Sequence, residues 1–245
     1  MVRIDVGIIG GTGIGERLEA LGGEPIQVTT PTGIFRAKVV QYNGIGIAVL
    51  SRHSSGHKNP PHRVPYATLA NGLVALGARF CLATAAVGSL LEQHGPGSLL
   101  ACRDLIDVSS RQPTLFRDTV MHTDFTEPFS SLVSRAFLAA GTMHGIEVID
   151  GAVYVCVNGP RYETPHEIKM FQQWGGTVVG MTAASEAILM REAGIQYGCL
   201  AIVTNFASGI ATSPLNHQEV VDEMQRTGDQ TVNVLLDTAR LLMGG

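Results

Sequence analysis

The sequence predicts an α/β fold, a central twisted mixed β-sheet flanked by helices, formed as one domain over residues 1–245. Short apolar runs bounded by Gly and Pro alternate with segments of helical periodicity, the rhythm of an α/β sheet. A hydrophobic content of 45% and 29 glycines suit a large core with many tight turns. The pair Asn43-Gly44, set between two apolar segments, is a strong hairpin signal.

The elements follow in order. Val6–Ile9 reads as a first buried strand running into Gly10-Gly11-Thr12-Gly13. Ala37–Tyr42 and Ile45–Ser51 form the hairpin. Tyr66–Leu76 is a helix with Leu69, Leu73 and Leu76 on one face. Phe80–Ala86 is a buried strand and Asp104–Val108 a short one. Ser130–His144 is a helix opened by Ser130. Ala152–Val157 is a strand. Pro165–Trp174 is a helix with proline at its favoured first position. Val178–Gly180 is a short strand, Glu186–Ala193 a helix closed by Gly194, and Gly198–Asn205 a strand. His217–Leu242 is a long final helix with Val220, Val221, Met224, Thr231, Val234, Leu235, Leu241 and Leu242 at helical spacing. Three segments remain irregular, Arg52–Pro65, Arg111–Pro128 and Phe206–Asn216, and long loops in a compact domain are usually functional.

Charge and cysteine usage narrow the function. Net charge is −4, with no basic stripe, which argues against nucleic-acid binding. The opening Met1-Val2-Arg3-Ile4-Asp5 is strand-like and carries an acid, unlike a secretory leader. No uncharged apolar run reaches transmembrane length, so no membrane association is expected. Cys81, Cys102, Cys156 and Cys199 form no CxxC pair and read as buried structural thiols in a reducing, cytoplasmic setting.

Several segments carry chemistry. A Gly-rich turn after a buried strand, Gly10 to Gly15, presents backbone N–H groups that suit an anion, and Thr12 adds a hydroxyl. A merely tight turn is the alternative. No Gly-Lys-Ser/Thr follows, and the third glycine of a dinucleotide fingerprint falls at Glu16. At Ser51-Arg52-His53 a strand ends in a guanidinium fork beside an imidazole, suited to phosphate; a surface Arg and a core His is the plainer reading. His53, His57 and His62 raise zinc, but Ser54-Ser55-Gly56 and Pro60-Pro61 oppose the helix that such spacing needs. Thr84-Ala85-Ala86-Val87-Gly88 ends a strand in small residues that let a ligand approach the backbone. Before a later helix, Thr182 offers a second hydroxyl and Met181 a soft surface for a sugar, with Ser185 the expected cap. Tyr162 and Glu163 set a ring beside a carboxylate, and Asn205 ends an apolar strand with an amide that both donates and accepts. Ring, carboxylate and amide together suit a 6-oxopurine.

Taken in order, these segments resemble the trimeric purine nucleoside phosphorylase and methylthioadenosine phosphorylase family. The resemblance runs from Ile8-Ile9-Gly10-Gly11-Thr12-Gly13 to the last helix, through Arg52-His53, Thr84-Ala85, Gly159-Pro160-Arg161-Tyr162, Gly180-Met181-Thr182 and Thr204-Asn205. It implies that phosphate attacks C1′ of a purine nucleoside, releasing free base and a ribose 1-phosphate, with no metal or organic cofactor. By the same resemblance Thr12, Arg52, His53, Thr84, Ala85 and Thr182 match the phosphate site, and His53 and Asn205 the catalytic positions. Tyr162 matches the aromatic beside base and sugar, and Met181 the ribose contact. His122 matches a histidine that reaches the 5′ group in a neighbouring subunit, which implies a homotrimer.

The substrate is read from departures within the family. Adenine-reading members carry aspartates at the positions of Asn205 and Ala207, and this chain has neither. Asn205 can donate to N7 and O6 of a 6-oxopurine, and Glu163 can accept from its N1–H, which adenine lacks. Hypoxanthine and guanine nucleosides are therefore expected. His217 resembles the residue that meets a 5′-hydroxyl, whereas Arg52-His53 and Gly180-Met181-Thr182 look more like the methylthio branch. Inosine or guanosine and 5′-methylthioinosine both stay open, with methylthioadenosine as the alternative. A phosphate-independent nucleosidase, an NAD-linked oxidoreductase and a non-catalytic nucleotide-binding module are the rivals from other classes.

Overall fold

The computed structural model describes residues 4–53, 59–210 and 216–244. Met1–Arg3 of the strand-like opening, and Ser54-Ser55-Gly56 with His57, lie outside the described residues. Among the described residues nine strands form one mixed sheet: β1 Val6–Gly10, β2 Glu24–Thr30, β3 Gly33–Tyr42, β4 Ile45–Ser51, β5 Phe80–Ser89, β6 Leu99–Asp107, β7 Val148–Cys156, β8 Val178–Gly180 and β9 Gln196–Phe206. Among the described residues six α-helices, α1 Ile14–Ala20, α2 Tyr66–Leu76, α3 Ser131–Met143, α4 Pro165–Gln173, α5 Ala183–Glu192 and α6 His217–Leu242, accompany them, with one 3-10 turn at Pro61–Arg63.

The strand order is β2-β3-β4-β1-β5-β8-β7-β6-β9, with β9 also paired to β5. Strands β5, β8, β7, β6 and β9 thus close into a ring, and β1 to β4 extend from β5 as an open wing. The two sheet faces bury different helices. One packs Leu69, Leu73 and Leu76 of α2 with Ala183, Ala187 and Met190 of α5. The other packs Ile14 and Leu18 of α1, Val133 and Phe137 of α3, and Val234 and Leu235 of α6. Each of the larger side chains here, Leu, Ile, Val, Phe or Met, contributes about 1.5–3 kcal/mol on full burial.

The ring and the wing do not meet evenly. β1 pairs with β5 only as far as Ile9↔Ala83, and β8 joins the same strand at Gly88↔Val179. Between them, Thr84–Val87 has only β9 as a strand neighbour among the described residues. A break of this kind leaves a crevice at the carboxyl end of the strands, where α/β folds place their ligands.

The hairpin forms as expected, with Tyr42 opposite Ile45 and both Asn43 (φ 47°) and Gly44 (φ 82°) left-handed. Two elements have no counterpart in the sequence reading. Helix α1 is only seven residues long and begins Ile14-Gly15, too short for a periodic signal. Strand β2 is a polar wing edge containing Pro25, a residue tolerated at edges. Several strands run longer than expected, because tertiary pairing continues past their most apolar stretch. β5 extends to Ser89, β6 begins at Leu99, and β7 begins at Val148. Gly151 (φ 92°) is skipped between Asp150 and Ala152 in the β6–β7 register, so a bulge separates the visible part of β7 from its start. Among the described residues no helix is long and apolar enough to cross a membrane.

Gly10 lets α1 pack against the end of β1. A Cβ there would meet the Gly15 backbone at 2.5 Å, and two backbones cannot part cheaply. Gly10→Ala is expected to cost about 1–3 kcal/mol by overpacking. Urea denaturation checks this, and an unchanged midpoint would show that α1 is free to shift.

Candidate active site

The crevice is a cavity of about 380 Å³. Its walls come from the strand break, the β1–α1 turn, the end of β4, the β7–α4 turn, the β8–α5 turn and the first turn of α6. Of the residues singled out in the sequence, Thr12, Arg52, His53, Ala85 and Thr182 line it, as do Tyr162, Glu163, Met181, Asn205 and His217.

The anion side is built from turns. Gly13 (φ 72°) holds the left-handed conformation that opens α1. The Gly11 amide donates to Thr84 Oγ1 at 2.9 Å, and the amides of Ile14 and Gly15 donate to the Gly11 carbonyl. Thr12 is left at the cavity wall. Thr182 is the N-cap residue of α5, yet its side chain caps nothing. The amides of Thr182 and Ala183 meet the Tyr154 hydroxyl instead. The helix start is thereby satisfied from below, and the Thr182 hydroxyl is left for the cavity. Ser185, expected as the cap, instead accepts from Arg111 Nε at 2.8 Å.

Arg52 is 2% exposed, although a surface position was one reading. Its Nε and Nη2 grip the two oxygens of Glu186 at 2.5 and 2.8 Å, and Nη1 donates to the Thr84 carbonyl at 2.7 Å. The guanidinium fork is therefore committed to a carboxylate, which corrects the expectation of a fork offered to phosphate. A guanidinium has five N–H groups, so one on Nη1 and one on Nη2 remain. Burial pulls the Arg52 pKa down and Glu186 pulls it up, with a net rise, so the guanidinium stays charged. His53 is held by reciprocal contacts with Asn59: Nδ1 donates to the Asn59 carbonyl at 2.8 Å, and the Asn59 amide donates to the His53 carbonyl. A carbonyl only accepts, so Nδ1 carries a hydrogen. Of the trio once weighed for zinc, His57 lies outside the described residues.

The opposite side holds the amide and the carboxylate. In the β5–β9 register Val87 opposes Val203 and Gly88 opposes Asn205, so Thr204 is the extra residue of a bulge. Bulges re-aim side chains near sites. Asn205 Nδ2 donates to the Phe206 carbonyl at 2.9 Å, and Oδ1 accepts from Thr204 Oγ1 at 2.8 Å. These two bonds define which end of the amide is nitrogen. They also leave one N–H, so Asn205 cannot make independent bonds to N7 and O6, as the sequence reading allowed. Glu163 is 8% exposed, and burial raises its pKa. The neighbouring Arg161 is engaged in a bidentate ion pair with Glu167. Burial likewise raises the Tyr162 pKa, with Glu163 and then Glu219 of α6 adding to it. Gly159 (φ 65°) lets this turn run against Met181, whose sulfur would collide with any Cβ there.

Three sequence-singled residues are not on the wall. Thr84 is fully buried behind it, accepting from Gly11 and Arg52. Ala207 packs in a small apolar cluster with Leu90, Phe171 and Val179. His122 is exposed, outside the cavity of its own chain.

The sequence reading missed Glu186, Tyr197, Thr204, Tyr154 and Arg111. Glu186 had a signal: it is the one charge in the apolar run Ala183–Met190. Arg111 had none. It reaches back from its loop to the Met181 carbonyl at 2.8 Å and Ser185, tying the irregular segment to the β8–α5 turn.

Comparison with known proteins agrees with this layout. Residues 5–240 match the Phosphorylase superfamily. A probable S-methyl-5′-thioinosine phosphorylase of Methanothermobacter thermautotrophicus is 40% identical over 94% of this chain and 81% of its own. The 6-oxopurine nucleoside phosphorylase of Pyrococcus furiosus is 35% identical over 97% of this chain and 92% of its own. Among solved structures, a methylthioadenosine phosphorylase from Schistosoma mansoni in complex with adenine superposes with a TM-score of 0.93, at 27% identity over 99% of this chain and 93% of that one. The sheet with its split, the cavity at the split and these likenesses lead to one statement: the chain belongs to the Phosphorylase superfamily.

Proposed function

We propose that this protein catalyses phosphorolysis of 6-oxopurine nucleosides, giving free base and ribose 1-phosphate or its 5-methylthio counterpart. The observation that carries this reading is the convergence on one cavity of the hydroxyl, imidazole and guanidinium donors Thr12, Thr182, His53 and Arg52 with the pair Asn205 and Glu163. Relatives named for both 6-oxopurine nucleosides and methylthioinosine support it.

Cleavage of an N-glycosidic bond develops positive charge on the sugar and negative charge on the departing purine, as in glycoside hydrolysis. Phosphate held by Thr12, Ala85, Thr182, His53 and Arg52 faces the sugar, with Thr84 bracing Arg52 from behind. The phosphate supplies both charge stabilisation and the nucleophile, so no cofactor is needed. The remaining N–H of Asn205 serves N7 or O6, where negative charge gathers, and preorganised donors of this kind give large rate effects. Glu163 accepts from N1–H. Met181 and Tyr162 pack the sugar, and His217 with Val220 meets its 5′ end. His217 favours a 5′-hydroxyl; Val220 suits a methylthio group. Ala207 contributes by lacking the carboxylate of adenine-reading members.

His122 sits in an exposed loop beside Val120 and Met121, which are 86% and 60% exposed. That loop is anchored to α5 by Thr114 and Leu115 on Glu192 and by Arg191 on the Asp124 carbonyl. An apolar, anchored projection suits a neighbouring subunit, and the resemblance to trimeric family members implies a homotrimer in which His122 reaches the next active site. The unpaired buried thiols suit a reducing, cytoplasmic compartment.

The deciding assay is base release from inosine, 5′-methylthioinosine and methylthioadenosine, each with and without phosphate. Phosphate-dependent cleavage of the first two is expected, and the better of them identifies the 5′ group. Cleavage without phosphate would make the enzyme a nucleosidase, and preference for methylthioadenosine would refute the 6-oxopurine reading. Sedimentation at working concentration tests the trimer, and a monomer would remove the role of His122.

Two further outcomes concern the base. Asn205→Asp is expected to shift the ratio of kcat/KM towards 6-amino substrates by about 10-fold or more, because a mismatched buried polar group goes unpaired. Glu163 must be ionised to accept from N1–H, and burial raises its pKa. Its protonation therefore begins above the ordinary glutamate range, and kcat/KM for inosine should fall on acidification from that higher pH. Glu163→Gln should remove this acid limb and lower kcat/KM at neutral pH about 10-fold or more, since a bond to a charged group is lost. An acid limb that persists in the variant would assign it to another group.

A further inference from the structure

We propose that Glu186 is a positioning residue of the anion site: it aims Arg52 at phosphate, and the Tyr197 hydroxyl holds it in place. The proposal rests on the phosphorolysis reading for its anion. The pair is sealed, with both side chains only 1% exposed, while Arg52 still reaches the cavity wall. Glu186 Oε2 also accepts from Tyr197 at 2.8 Å, and Tyr197 is itself buried on β9. Three elements thus meet at one guanidinium. The end of β4 supplies it, the first turn of α5 clamps two of its nitrogens, and the bare stretch of β5 takes the third through the Thr84 carbonyl.

The consequence is directional. With Nε, one N–H of Nη2 and one of Nη1 spent inside the protein, a single orientation is left for the two remaining N–H groups. Arginine has much rotamer freedom to lose, and a clamp fixed by folding removes that cost from phosphate binding. The clamp also cancels the formal charge of Arg52, so phosphate is gripped by oriented donors and no surplus positive charge has to be buried in the empty site.

The test measures inorganic phosphate binding by calorimetry, without turnover, together with KM for phosphate and for inosine. Glu186→Gln is expected to weaken phosphate binding about 10-fold or more, the scale of a bond to a charged group, while KM for inosine changes less than about 2-fold. In an Arg52→Gln background the same substitution should add nothing, because its effect passes through Arg52. Tyr197→Phe keeps the ion pair and should weaken phosphate about 3-fold; it carries the test if Glu186→Gln does not fold. Unchanged phosphate affinity in the variants, equal losses for phosphate and inosine, or independent effects of Glu186 and Arg52 would overturn the proposal. A wild-type protein that binds phosphate and shows these couplings, yet cleaves no nucleoside, would refute the phosphorolysis reading alone.

Discussion

Among the described residues, strand β5 has neighbours on both sides as far as Ala83 and again from Gly88, but only β9 beside Thr84–Val87. The site follows from that gap. Buried backbone groups need partners, and a strand that loses its neighbour must find them elsewhere. Arg52 takes the Thr84 carbonyl, and the Gly11 amide takes the Thr84 hydroxyl. The two turns that cover the gap are those that bring an anion's donors to its edge. Small residues at Ala85, Ala86 and Gly88 then leave open the volume that larger side chains would fill.

The electrostatics of the gap are economical in charge. Its guanidinium is neutralised by Glu186 within the fold, and its imidazole is tied to Asn59 through Nδ1. The start of α5 is covered by the Tyr154 hydroxyl rather than left open. Gly180 is what admits that tyrosine, since a Cβ there would strike its hydroxyl. What remains for a ligand is a set of oriented neutral and charge-cancelled donors. Such a set suits a reaction in which phosphate arrives as an anion and the purine leaves with negative charge, because neither end is trapped by an unbalanced cation.

Much of this was legible in the chain. Buried strands, the Asn43-Gly44 turn and the long helices announced themselves because their local pattern agrees with their place in the fold. The Gly-rich turn, Arg52-His53, Thr182, Glu163 and Asn205 were legible by residue type. The structure brings all of them to one cavity. What was hidden is whatever depends on partners far away in sequence. Glu186 lies 134 positions from Arg52 and Arg111 lies 70 from Met181, so no window along the chain joins them. Thr84 shows the converse. Its residue type suited the cavity, but folding turned its oxygens to Gly11 and Arg52. The wing edge β2 and the seven-residue α1 escaped because each is defined by pairing and packing rather than by periodicity.

In the proposed function, recognition of the base turns on how Asn205 is held. A free amide can rotate, exchanging its donor for its acceptor, and would then serve a 6-oxo and a 6-amino edge alike. Here the Phe206 carbonyl can only accept, so it admits only the nitrogen end. The one hydroxyl hydrogen of Thr204, whose Oγ1 lies 2.8 Å from Asn205 Oδ1 and 3.3 Å from the Val87 carbonyl, goes to the nearer amide oxygen. Both constraints come from residues flanking Asn205 in β9, and both depend on the bulge that places Thr204 out of register. The same irregularity that shifts the register with β5 therefore fixes the polarity of the amide proposed to meet the purine. Glu163, buried on the wall, adds an acceptor on the same cavity. A base edge with an acceptor at position 6 and a hydrogen on N1 completes both groups at once, whereas a 6-amino edge leaves one of them unpaired in a site where unpaired polar groups are costly.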